Sequence, residues 1–78
     1  MELTIISPVL QKKMTIAWLE INTPVGNFVI QKGHAPMVVT LSAHQPIIIG
    51  LPNGTQQSIV IIKAVVEVTR TGATVIVS

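Results

Sequence analysis

Side chains branched at Cβ dominate this chain and constrain its fold more than any other feature. Twelve Ile, eleven Val and eight Thr make up 31 of the 78 residues. Such side chains are stiff at χ1 and suit a pleated sheet better than a helix. No stretch keeps a helical period over three turns, whereas residues 17–22 and 65–69 alternate with the period of two that is typical of strands. The sequence therefore predicts an all-β protein.

Proline and glycine divide the chain into short segments. Pro52-Asn53-Gly54 and Thr71-Gly72 are typical of tight hairpin turns. Eight strands are predicted between such breaks, at residues 2–7, 15–22, 27–30, 37–42, 46–50, 56–62, 65–69 and 73–77. Short strands at regular spacing favour a small β-sandwich or flattened barrel, here of about eight to ten strands.

Length and composition exclude several classes of protein. A chain of 78 residues forms one domain. It has no cysteine for a disulfide framework, and only 10% of its residues are charged, with a net charge of +2. This is too few charges for a nucleic-acid binder and too apolar a composition for a disordered segment. The 49% hydrophobic content indicates exposed apolar surface for a partner, although small β proteins also build their cores from Val and Ile.

The residues that could carry chemistry are few. The chain has two histidines, His34 and His44, three glutamates, and no Asp, Cys or Tyr. The ten-residue separation of the histidines does not match the short spacing of metal-ligand pairs, and no phosphate-binding glycine motif occurs. We therefore expect no catalytic site, no metal and no cofactor. No apolar run approaches the ~20 residues of a spanning helix, so direct membrane insertion is not expected either.

One segment differs from the rest, at the turn that follows Ile30. Gly33 permits a left-handed conformation, and Pro36 fixes its own φ and biases Ala35 to extended geometry. The result is a rigid corner that presents His34. Two interpretations remain open: the imidazole bonds the local backbone, or the corner is a contact surface.

The same segment carries a resemblance to a known family. Thr23-Pro24, Gly26-Asn27-Phe28-Val29-Ile30, Gly33-His34-Ala35-Pro36-Met37 and Leu41 resemble the epsilon subunit of F-type ATP synthases, called delta in mitochondria. The opening residues 3–8, the pair Glu67-Val68 and the end at 74–76 also look similar. Departures from the family pattern stand at Val29, Gln31-Lys32 and Lys63-Ala64.

The resemblance implies a fold and a function. It implies a β-sandwich that serves as a non-catalytic rotor subunit of the central stalk, joining the gamma subunit to the membrane proteolipid ring in proton-motive ATP synthesis. The protein would then lie peripherally on the cytoplasmic face of the membrane and bind no nucleic acid. Family members usually carry a helical hairpin after the sandwich, and we expect residues 1–78 to form one domain without it.

The resemblance also implies which residues contact partners. Gly33, His34, Ala35 and Pro36, with the nearby strand residues Met37 and Val39, are expected to face gamma. The loop of Gly26, Asn27 and Phe28 is expected to face the ring. Two alternatives remain: a diverged adaptor that self-associates through edge strands, and a small enzyme or metal protein that uses His34 and His44.

Overall fold

The computed structural model describes the whole chain except the side chains of residues 42–44, and its backbone contains strands and turns but no helix. Its strands have the following bounds: β1 Glu2–Ile6, β2 Gln11–Thr15, β3 Trp18–Thr23, β4 Gly26–Gln31, β5 Met37–Gly50, β6 Gln56–Val68 and β7 Gly72–Val77. They form one seven-stranded sheet in the order β2-β1-β7-β6-β5-β3-β4. Neighbouring strands are antiparallel except β1 and β7, which are parallel.

The two long strands, β5 and β6, belong to both halves of the sheet. Met37 pairs with Val68 at one end of their ladder, and Gly50 pairs with Gln56 at the other. The register of the pairing shifts between Ser42 and Gln45. In β6 the buried positions change phase at the same level, because Ile61 and Ala64 are both buried while the two residues between them are exposed. A register shift of one residue bends a sheet and exchanges its faces. The shift therefore lets the sheet turn over on itself while both halves keep a buried face.

The core lies between the two halves. The buried hydrophobic residues that the structure describes form one cluster, to which β1 contributes Leu3 and β3 contributes Leu19, both fully buried. These two strands are separated by three others in the sheet order. Their side chains share a core because the sheet is folded into two layers, within a body of 29 × 28 × 21 Å.

This architecture confirms the predicted all-β sandwich. The structure has seven strands, fewer than the eight to ten expected, because predicted segments 37–42 and 46–50 are continuous as β5, and 56–62 and 65–69 are continuous as β6. The bend is a register shift within paired strands and needs no break in the chain. Strand β2 was not predicted, because two adjacent lysines, Lys12 and Lys13, are more typical of a solvated turn than of a strand. Both lysines are exposed on an edge strand, where charged side chains are common.

Candidate partner-binding surfaces

The β3–β4 hairpin holds the first group of candidate residues. Gly26 has φ = 141°, a conformation that L side chains rarely adopt. The Thr23 hydroxyl donates to the Gly26 carbonyl at 2.9 Å and accepts from the Val25 amide at 3.2 Å. A glycine and a side-chain cap thus fix a tight turn, which leaves Val25 82% exposed at its tip.

Asn27 organises the polar surface beside this turn. Its side-chain amide donates to a carboxylate oxygen of Glu20 at 3.0 Å and to the side-chain oxygen of Asn22 at 2.8 Å. Asn27 lies directly opposite Asn22 in the β3–β4 ladder, and Glu20 lies two residues before Asn22. The turn therefore presents a hydrogen-bonded patch with a single negative charge.

Phe28 occupies a different environment from its two neighbours. It pairs with Ile21 across the ladder and packs, half-buried, against the hydrophobic core. Side chains alternate between the faces of a strand, so Asn27 is exposed on the outer face while Phe28 turns inward. Gly26 is exposed because it lies at the turn and has no side chain. Phe28 thus anchors the hairpin to the core.

The second group of candidate residues forms a loop after β4. Gly33 has φ = 87°, and its amide donates to the carbonyl of Arg70 at 2.8 Å. The Arg70 guanidinium reaches back to the Gly33 carbonyl at 3.5 Å. The His34 amide donates to the Gln31 carbonyl at 3.0 Å. The loop is thereby tied to the β6–β7 turn, a contact that sequence spacing does not reveal.

The imidazole of His34 makes a local contact. Its Nδ1 lies 2.8 Å from the carbonyl oxygen of Ala35, which is hydrogen-bonding distance for the tautomer that carries a proton on Nδ1. His34 is half-buried, while Ala35 and Pro36 are exposed. The first interpretation drawn from the sequence, an imidazole bonded to the local backbone, is therefore confirmed. The second, that the corner is a contact surface, stays a prediction.

An open groove begins at this corner. It is lined by Pro36, Met37, Val38, Glu67, Val68 and Thr69. Met37 and Val39 pack against the core from half-buried positions, whereas Val38 between them is 69% exposed. The sequence-based prediction of a contact at Val39 stays a prediction, and the structure shows Val38 to be the more exposed of the two residues. Leu41 is buried and shares a face of β5 with Val39, so Val39 faces the core and Val38 faces solvent. Only the folded sheet reveals which of the two faces is buried.

The two groups of candidate residues lie at opposite ends of β4. The six residues of β4 separate the hairpin turn from the loop. Six extended residues span about 20 Å. The structure brings the corner of Gly33 to Pro36 together with Thr69 and Arg70, and it holds Gly26 and Asn27 apart from them. The candidates thus form two surfaces at separate ends of the sandwich.

The part of the chain that the structure describes offers little for other chemistry. It contains no group of three or more His, Cys, Asp or Glu residues able to hold a metal ion. The side chain of His44 lies outside the described residues, so a pairing of His34 with His44 stays a hypothesis. No helix long and apolar enough to cross a membrane occurs in the described chain.

Comparison with known proteins gives a match to one family model. The model for the beta-sandwich domain of the ATP synthase delta/epsilon chain matches residues 1–78. No curated protein matches the chain significantly by sequence.

Solved structures with a similar fold also exist. A chain in the OSCP/F1/c-ring structure of the mitochondrial ATP synthase of Euglena gracilis superposes with a TM-score of 0.87 at 20% identity, covering 96% of this chain and 48% of that one. A chain in the central stalk/c-ring structure of the mitochondrial ATP synthase of Tetrahymena thermophila gives a TM-score of 0.81 at 16% identity, covering 97% and 61%. The protein spans about half to three-fifths of the length of these two chains.

Proposed function

The chain belongs to the ATP synthase delta/epsilon family, as its β-sandwich domain, and from this membership we propose that it is a non-catalytic subunit of the central stalk. In this role residues 1–78 act as a single sandwich domain that joins the gamma subunit to the membrane proteolipid ring of an F-type ATP synthase. The family match over all 78 residues is the observation that carries the proposal.

The placement of the candidate residues supports a connecting role. A subunit that joins two partners needs two separate contact surfaces, and the hairpin and the corner stand at opposite ends of β4. We assign the corner at His34, with Pro36 and the exposed Val38, to gamma, and the hairpin at Gly26 and Asn27 to the ring. The protein would then lie peripherally on the cytoplasmic face of the membrane.

The mechanical role requires stiffness and no catalytic group. The two layers share one dense core, and β5 and β6 run unbroken through both of them. Close-packed interiors have low compressibility and transmit strain. A load applied at the corner is therefore carried across the domain by the shared core and by the two strands that run through both layers, which suits a body between two moving parts.

Binding to gamma tests the proposal. The protein should form a one-to-one complex with the gamma subunit of the same source, detected by size-exclusion chromatography of the mixture. Replacement of His34 by Glu should weaken this complex at least about tenfold, which is ~1.4 kcal/mol, because it places a charge in the proposed contact.

A matched control is Gln11→Glu, which adds one negative charge at an exposed position of the edge strand β2. It should leave affinity for gamma within about twofold, as expected for a substitution outside an interface. Thermal melts followed by circular dichroism check that both variants fold. No complex between the wild-type protein and folded gamma at micromolar concentration would contradict the stalk role.

A further inference from the structure

The outer surface of the β3–β4 layer has an unusual composition. It consists of the outward-facing side chains of β3, β4 and residues 46–50 and 56–60; we call it the Glu20 face. Leu19 and Ile21 point into the core, so Trp18, Glu20 and Asn22 point outward on β3. In β5 Ile47 and Ile49 are buried, which places Ile48 on the same outer surface.

Glu20 is the only charged residue among the described positions of this face. The other positions carry apolar, amide or hydroxyl side chains, or glycine. The outer surface of the other layer differs, since Lys13, Lys63 and Glu67 are exposed there. Depletion of charged residues distinguishes the centre of a protein interface from ordinary surface.

The apolar side chains of the Glu20 face surround the carboxylate. Val29 and Ile48 are the direct cross-strand neighbours of Glu20 on its two sides, about 5 Å away. Val29 is 49% exposed, and Val60, further across the face, is 66% exposed. Four strands with three outward positions each cover on the order of 400 Å². This is about half of one partner's share of a standard interface.

The carboxylate is held in place before any partner arrives. The Asn27 amide donates to one oxygen of Glu20 at 3.0 Å, and its second hydrogen is used by Asn22. A carboxylate accepts several hydrogen bonds, so this one contact leaves capacity for a cation. A group fixed in this way loses less freedom on binding. Glu20 is thus an oriented acceptor within an apolar surround.

We infer that the Glu20 face docks a protein surface that inserts one lysine or arginine side chain against Glu20, with apolar residues around it. The inference rests on the proposed function in one respect, since the partner is taken to be the proteolipid ring. Asn27 belongs both to this face and to the hairpin assigned to the ring. The face therefore extends that contact across β3 to β5 and supplies the area that the hairpin alone lacks.

The test uses Glu20→Gln, which removes the charge and keeps an oxygen that accepts from Asn27. The probe is the detergent-solubilised rotor of gamma subunit and proteolipid ring, immobilised for affinity measurements. At about 50 mM NaCl the variant should bind at least fivefold more weakly than the wild-type protein. At about 500 mM NaCl the difference should fall below twofold, because salt screens a charge pair at a partly exposed site.

The matched control is Glu2→Gln, which removes an exposed carboxylate from β1 in the other layer. It should bind as the wild-type protein does at both salt concentrations. Equal affinity of the Glu20 variant and the wild-type protein would overturn the inference and leave the stalk role standing. Failure of the wild-type protein to bind the rotor would overturn both. A salt-sensitive dimer of the protein alone, lost in the Glu20 variant, would assign the face to a second copy and likewise overturn the inference.

Discussion

Trp18 and Gly50 form a closely packed pair of residues on the outer surface. They are direct partners in the β3–β5 ladder, and a Cβ added to Gly50 would overlap the indole ring of Trp18. The ring lies over the glycine backbone, which protects that part of the strand from water, as aromatic side chains do for glycine in designed sheets. This arrangement explains a half-buried tryptophan outside the core and a glycine inside a strand.

Replacement of Gly50 by Ala tests this pair. The added methyl group should displace the indole and lower the free energy of unfolding by about 1–3 kcal/mol, the usual cost of overpacking. Trp18 is the only tryptophan, so its fluorescence emission should shift to the red. Chemical denaturation gives both quantities. Gln56→Ala, on the other side of Gly50, should change stability by less than about 0.5 kcal/mol. An unchanged emission maximum in the Gly50 variant would contradict the stacking.

At the scale of the element, β6 shows how one strand serves two layers. The run from Ile59 to Ile62 is uniformly apolar in sequence, yet Ile61 is 5% exposed and Ile62 is 64% exposed. The phase of burial changes just after Ile61, at the level where the β5–β6 register shifts. Ile61 faces the core and Ile62 faces solvent, so Ile61 contributes far more to stability.

The same substitution at the two isoleucines measures this difference. Ile61→Thr buries a hydroxyl in the core and should cost about 2–3 kcal/mol. Ile62→Thr exposes a smaller side chain to solvent and should stay within about 0.5 kcal/mol. Urea unfolding curves of the two variants give the comparison. Equal costs would show that Ile61 and Ile62 do not lie on opposite faces of β6, as the structure has them.

At the scale of the whole molecule, the two layers share one core. Leu3 in the first layer and Leu19 in the second belong to the same buried cluster. Neither layer can keep its buried face without the other, since each face is covered by the opposite layer. The domain should therefore unfold in one cooperative transition, as small single domains usually do.

Leu3→Ala tests this coupling between the layers. The substitution should cost about 2–5 kcal/mol. The loss should appear equally in the fluorescence of Trp18, which lies in the other layer, and in far-ultraviolet circular dichroism. Val9→Ala serves as the control, because Val9 is 94% exposed. Its truncation should leave the midpoints of the fluorescence and circular dichroism transitions unchanged. Separate midpoints for the two probes would show that the layers unfold independently.

The sequence by itself determined the fold class and the hairpin turns at Asn53-Gly54 and Thr71-Gly72. Alternation and β-branched content act on the backbone of each strand separately, so they can be read without knowing which strands pair. The Asn53-Gly54 turn depends only on local backbone torsion, and the structure confirms this turn with φ = 90° at Gly54. The motif from Gly26 to Met37 identified the family, whose model then matched the whole chain.

Only the tertiary structure decided which side of each strand faces the core. It selected Val38 instead of Val39 as the exposed residue beside the corner, joined the loop at Gly33 to Arg70, and placed Asn27 against Glu20. These outcomes depend on pairing between distant segments. A shift of register by one residue reverses every side chain of a strand without changing its local pattern. For that reason a sequence of nearly continuous apolar strands predicts the sheet well and the exposed side of each strand poorly.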